Sequence, residues 1–126
     1  MKLKSISGVV YLVSDIAATA DFYETLGFRI DTHEADYLKV YLNWFWIEFV
    51  RMDDKHPTAF QEEAKLGNKG AGQFVYISVD DVDEAYKELV SKGLKPSGQP
   101  KDWPWGRREF VVRDPDGYKL VFFQKV

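Results

Sequence analysis

The chain has no cysteine, so disulfides, thiolate metal sites and cysteine nucleophiles are excluded. Histidine is almost as scarce, with only His33 and His56. No apolar run approaches the roughly 20 residues that span a bilayer. The first six residues, Met1 to Ile6, lack the apolar stretch of a secretory signal, which points to a cytoplasmic protein. Lys and Arg form no stripe and the net charge is −3, so neither nucleic acid nor an anionic membrane is an expected partner.

Aromatic side chains, by contrast, are abundant: nine Phe, seven Tyr and four Trp in 126 residues. Some must form core, because each buries a large area. The others are the first place to look for a binding surface.

The chain also repeats itself. Val9 to Val13, Asp15-Ile16 and Gly27-Phe28 recur as Val75 to Val79, Asp81-Val82 and Gly93-Leu94, at a constant offset of 66 residues. In the first half, Gly8 to Val13 reads as a strand. Asp15 caps a helix whose inner face carries Ile16, Ala20, Tyr23 and Leu26, and Gly27 ends it. A short strand near Phe28 to Asp31 follows, then two strands, Tyr37–Leu42 and Phe45–Met52, joined by a tight turn at Asn43-Trp44. In the second half, Phe74 to Val79 is a strand. Asp81 caps a helix, with Glu84 placed for a capping box and Val82, Ala85, Tyr86, Leu89 and Val90 as its apolar face. Arg107–Arg113 and Tyr118–Lys125 are strands joined by Asp114-Pro115-Asp116-Gly117, a type I turn sequence.

The expected fold class is α+β: two tandem βαβββ modules forming curved mixed sheets around a shared pocket, helices outside. One domain covers residues 1–126, with module 1 at about 5–52, a linker at 53–72 and module 2 at about 73–126. Within the linker, Thr58 to Leu66 suits a short helix. The run Gly67 to Gly72 reads as a flexible tether by composition. The segment from Lys95 to Gly106, with Pro96, Pro100 and Pro104, reads as a loop holding at most a short strand.

Strand alternation and turn length set the facing pattern. Leu38, Val40, Ile47 and Phe49 suit the helix-covered face, which turns Tyr37, Lys39, Tyr41, Trp46, Glu48 and Val50 the other way. A two-residue turn places Lys39 opposite Glu48. A three-residue loop after Asp114 places Val111 opposite Val121, with Leu120 and Phe122 toward the helix.

Val13-Ser14-Asp15, Phe22-Tyr23, Leu26-Gly27-Phe28, Val79-Asp80-Asp81-Val82 and Arg113-Asp114-Pro115-Asp116-Gly117, taken in this order, cover essentially the whole chain. The pattern resembles the vicinal oxygen chelate superfamily, which includes glyoxalase I, extradiol dioxygenases, fosfomycin resistance enzymes and bleomycin resistance proteins. The resemblance implies a pocket inside the curved sheets. In the enzymes it also implies a metal held by a His from the first strand and a Glu from the last strand of each half. Those places fall on Gly8, Glu48, Phe74 and Val121 here, and only Glu48 is a ligand type. Neither histidine has a partner at ligand spacing, and both read as surface residues. No metal and no cofactor is therefore expected.

Glu48 has two readings. It is an acid in the pocket that recognises a cation or acts as a general base, or it forms a structural ion pair with Lys39, since a buried carboxylate needs a partner. Trp103-Pro104-Trp105-Gly106, followed by Arg107, Glu109 and Phe110, resembles the bleomycin-resistance branch, which implies sequestration of a planar, partly cationic molecule. Proline between the two Trp residues stiffens the loop, so little entropy is lost on binding. Tyr37, Tyr41, Trp46, Phe74 and Tyr76 would supply the walls, with Lys39, Glu48, Val111 and Val121 beside them and Phe60 as a cover from the linker helix. Arg107, Arg108 and Glu109 read as a solvated strand edge.

Four functions follow from these residues. The leading one is a metal-free protein that sequesters an aromatic or cationic ligand, such as an antibiotic, with a small molecule and a second copy of the chain as partners. The others are a metal-dependent lyase, isomerase or dioxygenase; a cofactorless enzyme with Glu48 as base; and an interaction module whose aromatics serve a dimer interface.

Overall fold

Two aspartates start the main helices. Asp15 is extended and its side chain accepts from Ala18 N–H, opening α1 (Ile16–Leu26). Asp81 does the same for α3 (Val82–Ser91), accepting from Asp83 and Glu84 N–H. These bonds satisfy donors that a helix N-terminus leaves free. The capping box does not form, because the Glu84 carboxylate pairs instead with Lys87 one turn on. Val82 N–H donates to the Gln124 side chain at 2.7 Å, which ties the helix start to the last strand. Gly27 ends α1 at φ 103, a left-handed conformation that a side chain disfavours.

The computed structural model describes residues 1–126. The remaining elements are β1 (Gly8–Leu12), β2 (Arg29–His33), β3 (Tyr37–Leu42), β4 (Phe45–Val50), α2 (Thr58–Ala64), β5 (Val75–Ser78), β6 (Lys101–Trp103), β7 (Arg107–Arg113) and β8 (Lys119–Lys125). The chain forms two units, Met1–Gly67 and Asn68–Val126, each with a four-stranded mixed sheet. The orders are β1-β4-β3-β2 and β5-β8-β7-β6. β1 runs parallel to β4 and β5 parallel to β8, and the other pairs are antiparallel. No helix is long and apolar enough to cross a membrane.

Each sheet buries one face under its own helix. In the first unit Leu38, Val40, Ile47 and Phe49 are buried beneath α1, with Tyr23 at their centre. Its ring meets Phe28 edge-on at 5.2 Å and tilts against Phe49 at 4.6 Å. In the second unit Phe110, Val112, Leu120 and Phe122 lie beneath α3, where Tyr86 meets Phe110 edge-on at 5.4 Å. Val90, expected on the inner face of α3, is exposed. Val82 and Leu89, one heptad apart, are the buried residues of α3, and Ala85 and Tyr86 are half-buried between them.

The expected registers are present: Lys39 stands opposite Glu48 and Val111 opposite Val121. The Gly67–Gly72 run forms turns rather than an open tether, with Ala71 N–H bonded to Asn68 and Gln73 N–H to Gly70. Lys69 lies 3.8 Å from Asp116, and a Cβ at Gly70 would press within 2.8 Å of the Tyr118 ring. Composition alone hides these contacts.

Candidate functional site

In the first unit the face away from α1 carries Tyr37, Lys39 and Tyr41 from β3 with Trp46, Glu48 and Val50 from β4, all half-buried. The cross-strand ion pair expected between Lys39 and Glu48 does not form. Glu48 Oε2 instead accepts from the Tyr37 hydroxyl at 2.8 Å. Burial and this bond push the Tyr37 hydroxyl up to about 12. The Lys39 ammonium lies over the Tyr41 and Trp46 rings, 5.3 and 5.4 Å from their centroids. Its long stem makes both partners reachable from one register, and the ring faces attract it. Phe60 sits on α2 in the same unit and is exposed.

In the second unit the corresponding face holds a cleft of about 700 Å³. Six of the expected residues line it: Phe74, Tyr76, Trp103, Trp105, Val111 and Val121. β6 and the turn after it present the two indoles, which stack 4.9 Å apart and within 4° of parallel. The Lys101 ammonium covers Trp103, 4.2 Å from its centroid. Ser97, Gly98 and Gln99 complete one wall, fastened to β7 by a 2.8 Å bond from Ser97 N–H to the Val111 carbonyl. Lys119 lies over Phe74 at 4.4 Å.

The reading of residues 107–109 as a solvated edge is overturned. Glu109 is 7% exposed and lines the cleft. Its Oε1 accepts from the Tyr76 hydroxyl at 3.2 Å. Burial first, then the Glu109 charge, raises the Tyr76 pKa. The Arg107 guanidinium lies 4.5 Å over the Tyr76 ring. Arg107 Nε stands 3.5 Å from Glu109 Oε2, yet both atoms are buried and neither completes a hydrogen bond. Arg108 points the other way, pairing with Asp83 on α3 at 3.0 Å and Asp102 on β6 at 3.2 Å, and both carboxylates hold its pKa up. Alternation was the available signal: Arg107, Glu109 and Val111 share a face, so placing Val111 in the pocket already places Glu109 there.

A family model, Glyoxalase/Bleomycin resistance protein/Dioxygenase superfamily, matches residues 5–122. The chain belongs to that superfamily. Among curated glyoxalase-superfamily relatives, a bleomycin resistance protein of Geobacillus stearothermophilus is 30% identical over 122 residues, covering 90% of this chain and 92% of the relative. Among solved structures, TnmS3, an antibiotic binding protein from Streptomyces, is 26% identical with a TM-score of 0.75, covering 100% of this chain and 99% of the other. A bleomycin resistance determinant encoded on transposon Tn5 shares the fold at 22% identity and a TM-score of 0.71, covering 97% and 98% of the two chains.

The metal of the superfamily's enzymes does not fit the residues present. Gly8 has no side chain, and a Cβ there would fall on the Trp46 indole and its carbonyl oxygen. Phe74 and Val121 offer no donor, and Glu48 is engaged by Tyr37. No three His, Asp or Glu side chains gather at a spacing that would hold an ion. His33 is exposed, and His56 Nδ1 lies 2.9 Å from Asp53.

Proposed function

We propose that this protein binds and sequesters a planar aromatic molecule that bears a cationic or hydrogen-bond-donating group, an antibiotic being the leading class. The carrying observation is the cleft walled by the Trp103–Trp105 stack. Its volume of about 700 Å³ lies within the range of small-molecule sites. Apolar walls supply area and π-faces, and Glu109 supplies a single acidic point on the floor. The bleomycin resistance protein and antibiotic binding protein among its relatives support the same ligand class. Phe74, Tyr76, Val111 and Val121 complete the walls. The first unit's Tyr37, Lys39, Tyr41, Trp46 and Glu48, on the sheet face away from α1, are proposed as a separate candidate ligand surface of that unit. Phe60 has no part in this reading.

Self-association belongs to the proposal. Val10, 53% exposed on the aromatic face of the first sheet, is the residue of that face that a second copy of the chain would cover.

Tryptophan fluorescence tests the reading. Bleomycin and a panel of planar cationic dyes are titrated into the protein, with isothermal calorimetry on the same samples. Saturable quenching with matching heats is expected for at least one of them. Trp105→Ala should weaken that binding about tenfold, the usual cost of removing an aromatic anchor. Absence of both quenching and heat across the panel would exclude sequestration of this class.

A further inference from the structure

The floor of the cleft holds a carboxylate that is only half satisfied. Glu109 Oε1 has the Tyr76 hydroxyl, whereas Oε2 is buried without a hydrogen bond. A buried acceptor without a donor is costly, and more so when charged. The nearest cation does not meet the need: Arg107 Nε is 3.5 Å away, also buried and also unbonded. The pair gains Coulomb attraction but no aligned N–H···O contact. Meanwhile the Arg107 guanidinium rests on the Tyr76 ring and reaches toward Phe123, 4.5 and 5.8 Å from their centroids, and its side chain is 38% exposed. One end of the interaction is therefore fixed and buried. The other is a flexible side chain with a route out to solvent.

We infer that Glu109 selects ligands carrying a cationic N–H group, an ammonium, amidine or protonated ring amine, and that Arg107 occupies its carboxylate until such a ligand displaces it. The inference rests on the ligand-binding reading above and names the charge chemistry of that site. A compact N–H cation entering beside Tyr76 would give Oε2 the straight bond it lacks. Arg107 would swing to the rim with its charge returned to water, keeping the cleft from holding two adjacent cations. With no ligand bound, Arg107 prevents an uncompensated buried charge, the costlier state. A neutral planar ligand gains nothing from the exchange, so the exchange separates ligands by charge rather than by ring size.

Two probes with the same ring system test this. 9-Aminoacridine is protonated at neutral pH and acridine is not. Calorimetric titrations of both are run against the intact protein, Glu109→Gln, Arg107→Gln and the double variant. Glu109→Gln keeps the shape and an acceptor for Tyr76, and near-ultraviolet circular dichroism verifies its packing. The protein should prefer 9-aminoacridine, and Glu109→Gln should cut that preference about tenfold, the scale of a hydrogen bond to a charged group. Arg107→Gln should tighten 9-aminoacridine, and that gain should vanish when Glu109→Gln is added.

An unchanged preference in folded Glu109→Gln overturns the inference while leaving ligand binding intact. A gain that survives in the double variant also overturns it, since that is mere removal of a like charge. Should Glu109→Gln fail to fold, Arg107→Gln decides alone, and no tightening there overturns the displacement. Binding of neither probe by the intact protein overturns this inference, and the reading beneath it falls as well only when bleomycin and the wider dye panel also fail to bind.

Discussion

Both sheets carry a tyrosine–glutamate pair on the face away from the helix, but the pairs are built from different strands. In the first unit Tyr37 comes from β3 and Glu48 from β4. In the second, Tyr76 comes from β5 and Glu109 from β7. The registers show that these are not repeated positions. Glu48 lies beside Val10 and Tyr76 beside Val121, so the glutamate place of one half is a valine in the other. The duplicated scaffold therefore kept strands, caps and glycine stops, while the same pairing was assembled from non-equivalent residues. The chemistry is conserved by partner, not by position.

Glycine marks the sharpest difference. Gly8 leaves room for Trp46 to lie against β1, whereas its counterpart Phe74 projects from the second sheet and is 55% exposed. Exchanging these residues gives the largest expected effect. Gly8→Phe should destabilise the protein by at least about 1–3 kcal/mol in urea unfolding, because the new side chain meets both the Trp46 indole and the Trp46 carbonyl oxygen. Phe74→Gly should cost well under half as much, since little buried area is lost. Equal losses would remove the steric distinction drawn between the halves.

A smaller effect separates the helix caps. Asp81 accepts two backbone N–H groups and Asp15 one. Asp81→Ala should cost about 1 kcal/mol, and Asp15→Ala somewhat less. The reverse order in chemical denaturation would show that the Gln124 bond to Val82 already secures the second helix.

The least energetic comparison is spectroscopic. Tyr37 is held at about 12 and Tyr76 is also raised, so both hydroxyls stay protonated while ordinary tyrosines ionise near pH 10. A raised folded pKa means that their contribution to stability is complete below pH 10 and is lost as pH rises above it, for Tyr37 on the way to about 12. Ultraviolet titration should show late-ionising tyrosines among the seven. Glu48→Gln should bring one of them earlier without moving the other. A coincident shift of both would mean that the pairs are coupled rather than separate.

Most of the fold could be read from the chain. Asp15 and Asp81 announce helices, and turn lengths at Asn43-Trp44 and after Asp114 set two registers correctly. The site was only half legible. Glu109 was hidden by its neighbours: two arginines beside it suggest solvent, yet successive residues of a strand face opposite sides, so Arg108 and Glu109 meet different surroundings. Lys39 failed for another reason. Register brings it opposite Glu48, but it does not decide whether a four-carbon stem ends on a carboxylate or on a ring. The three-residue strand at 101–103 fits the short strand allowed within that loop, but the place of Lys101 over Trp103 left no signal among the prolines.

The Trp46 ring over Gly8 also constrains the order in which this sequence could change. A donor side chain placed at Gly8 would meet the indole at once, so the first step toward a metal-loaded relative carries a steric penalty and no gain. Trimming Trp46 would remove only the indole, and with it one of the aromatic faces on which Lys39 rests, because the Trp46 carbonyl oxygen still lies where the new Cβ would go. A side chain at Gly8 therefore requires the β1–β4 backbone pairing to shift as well. A single glycine thus acts as a ratchet on the history open to the chain.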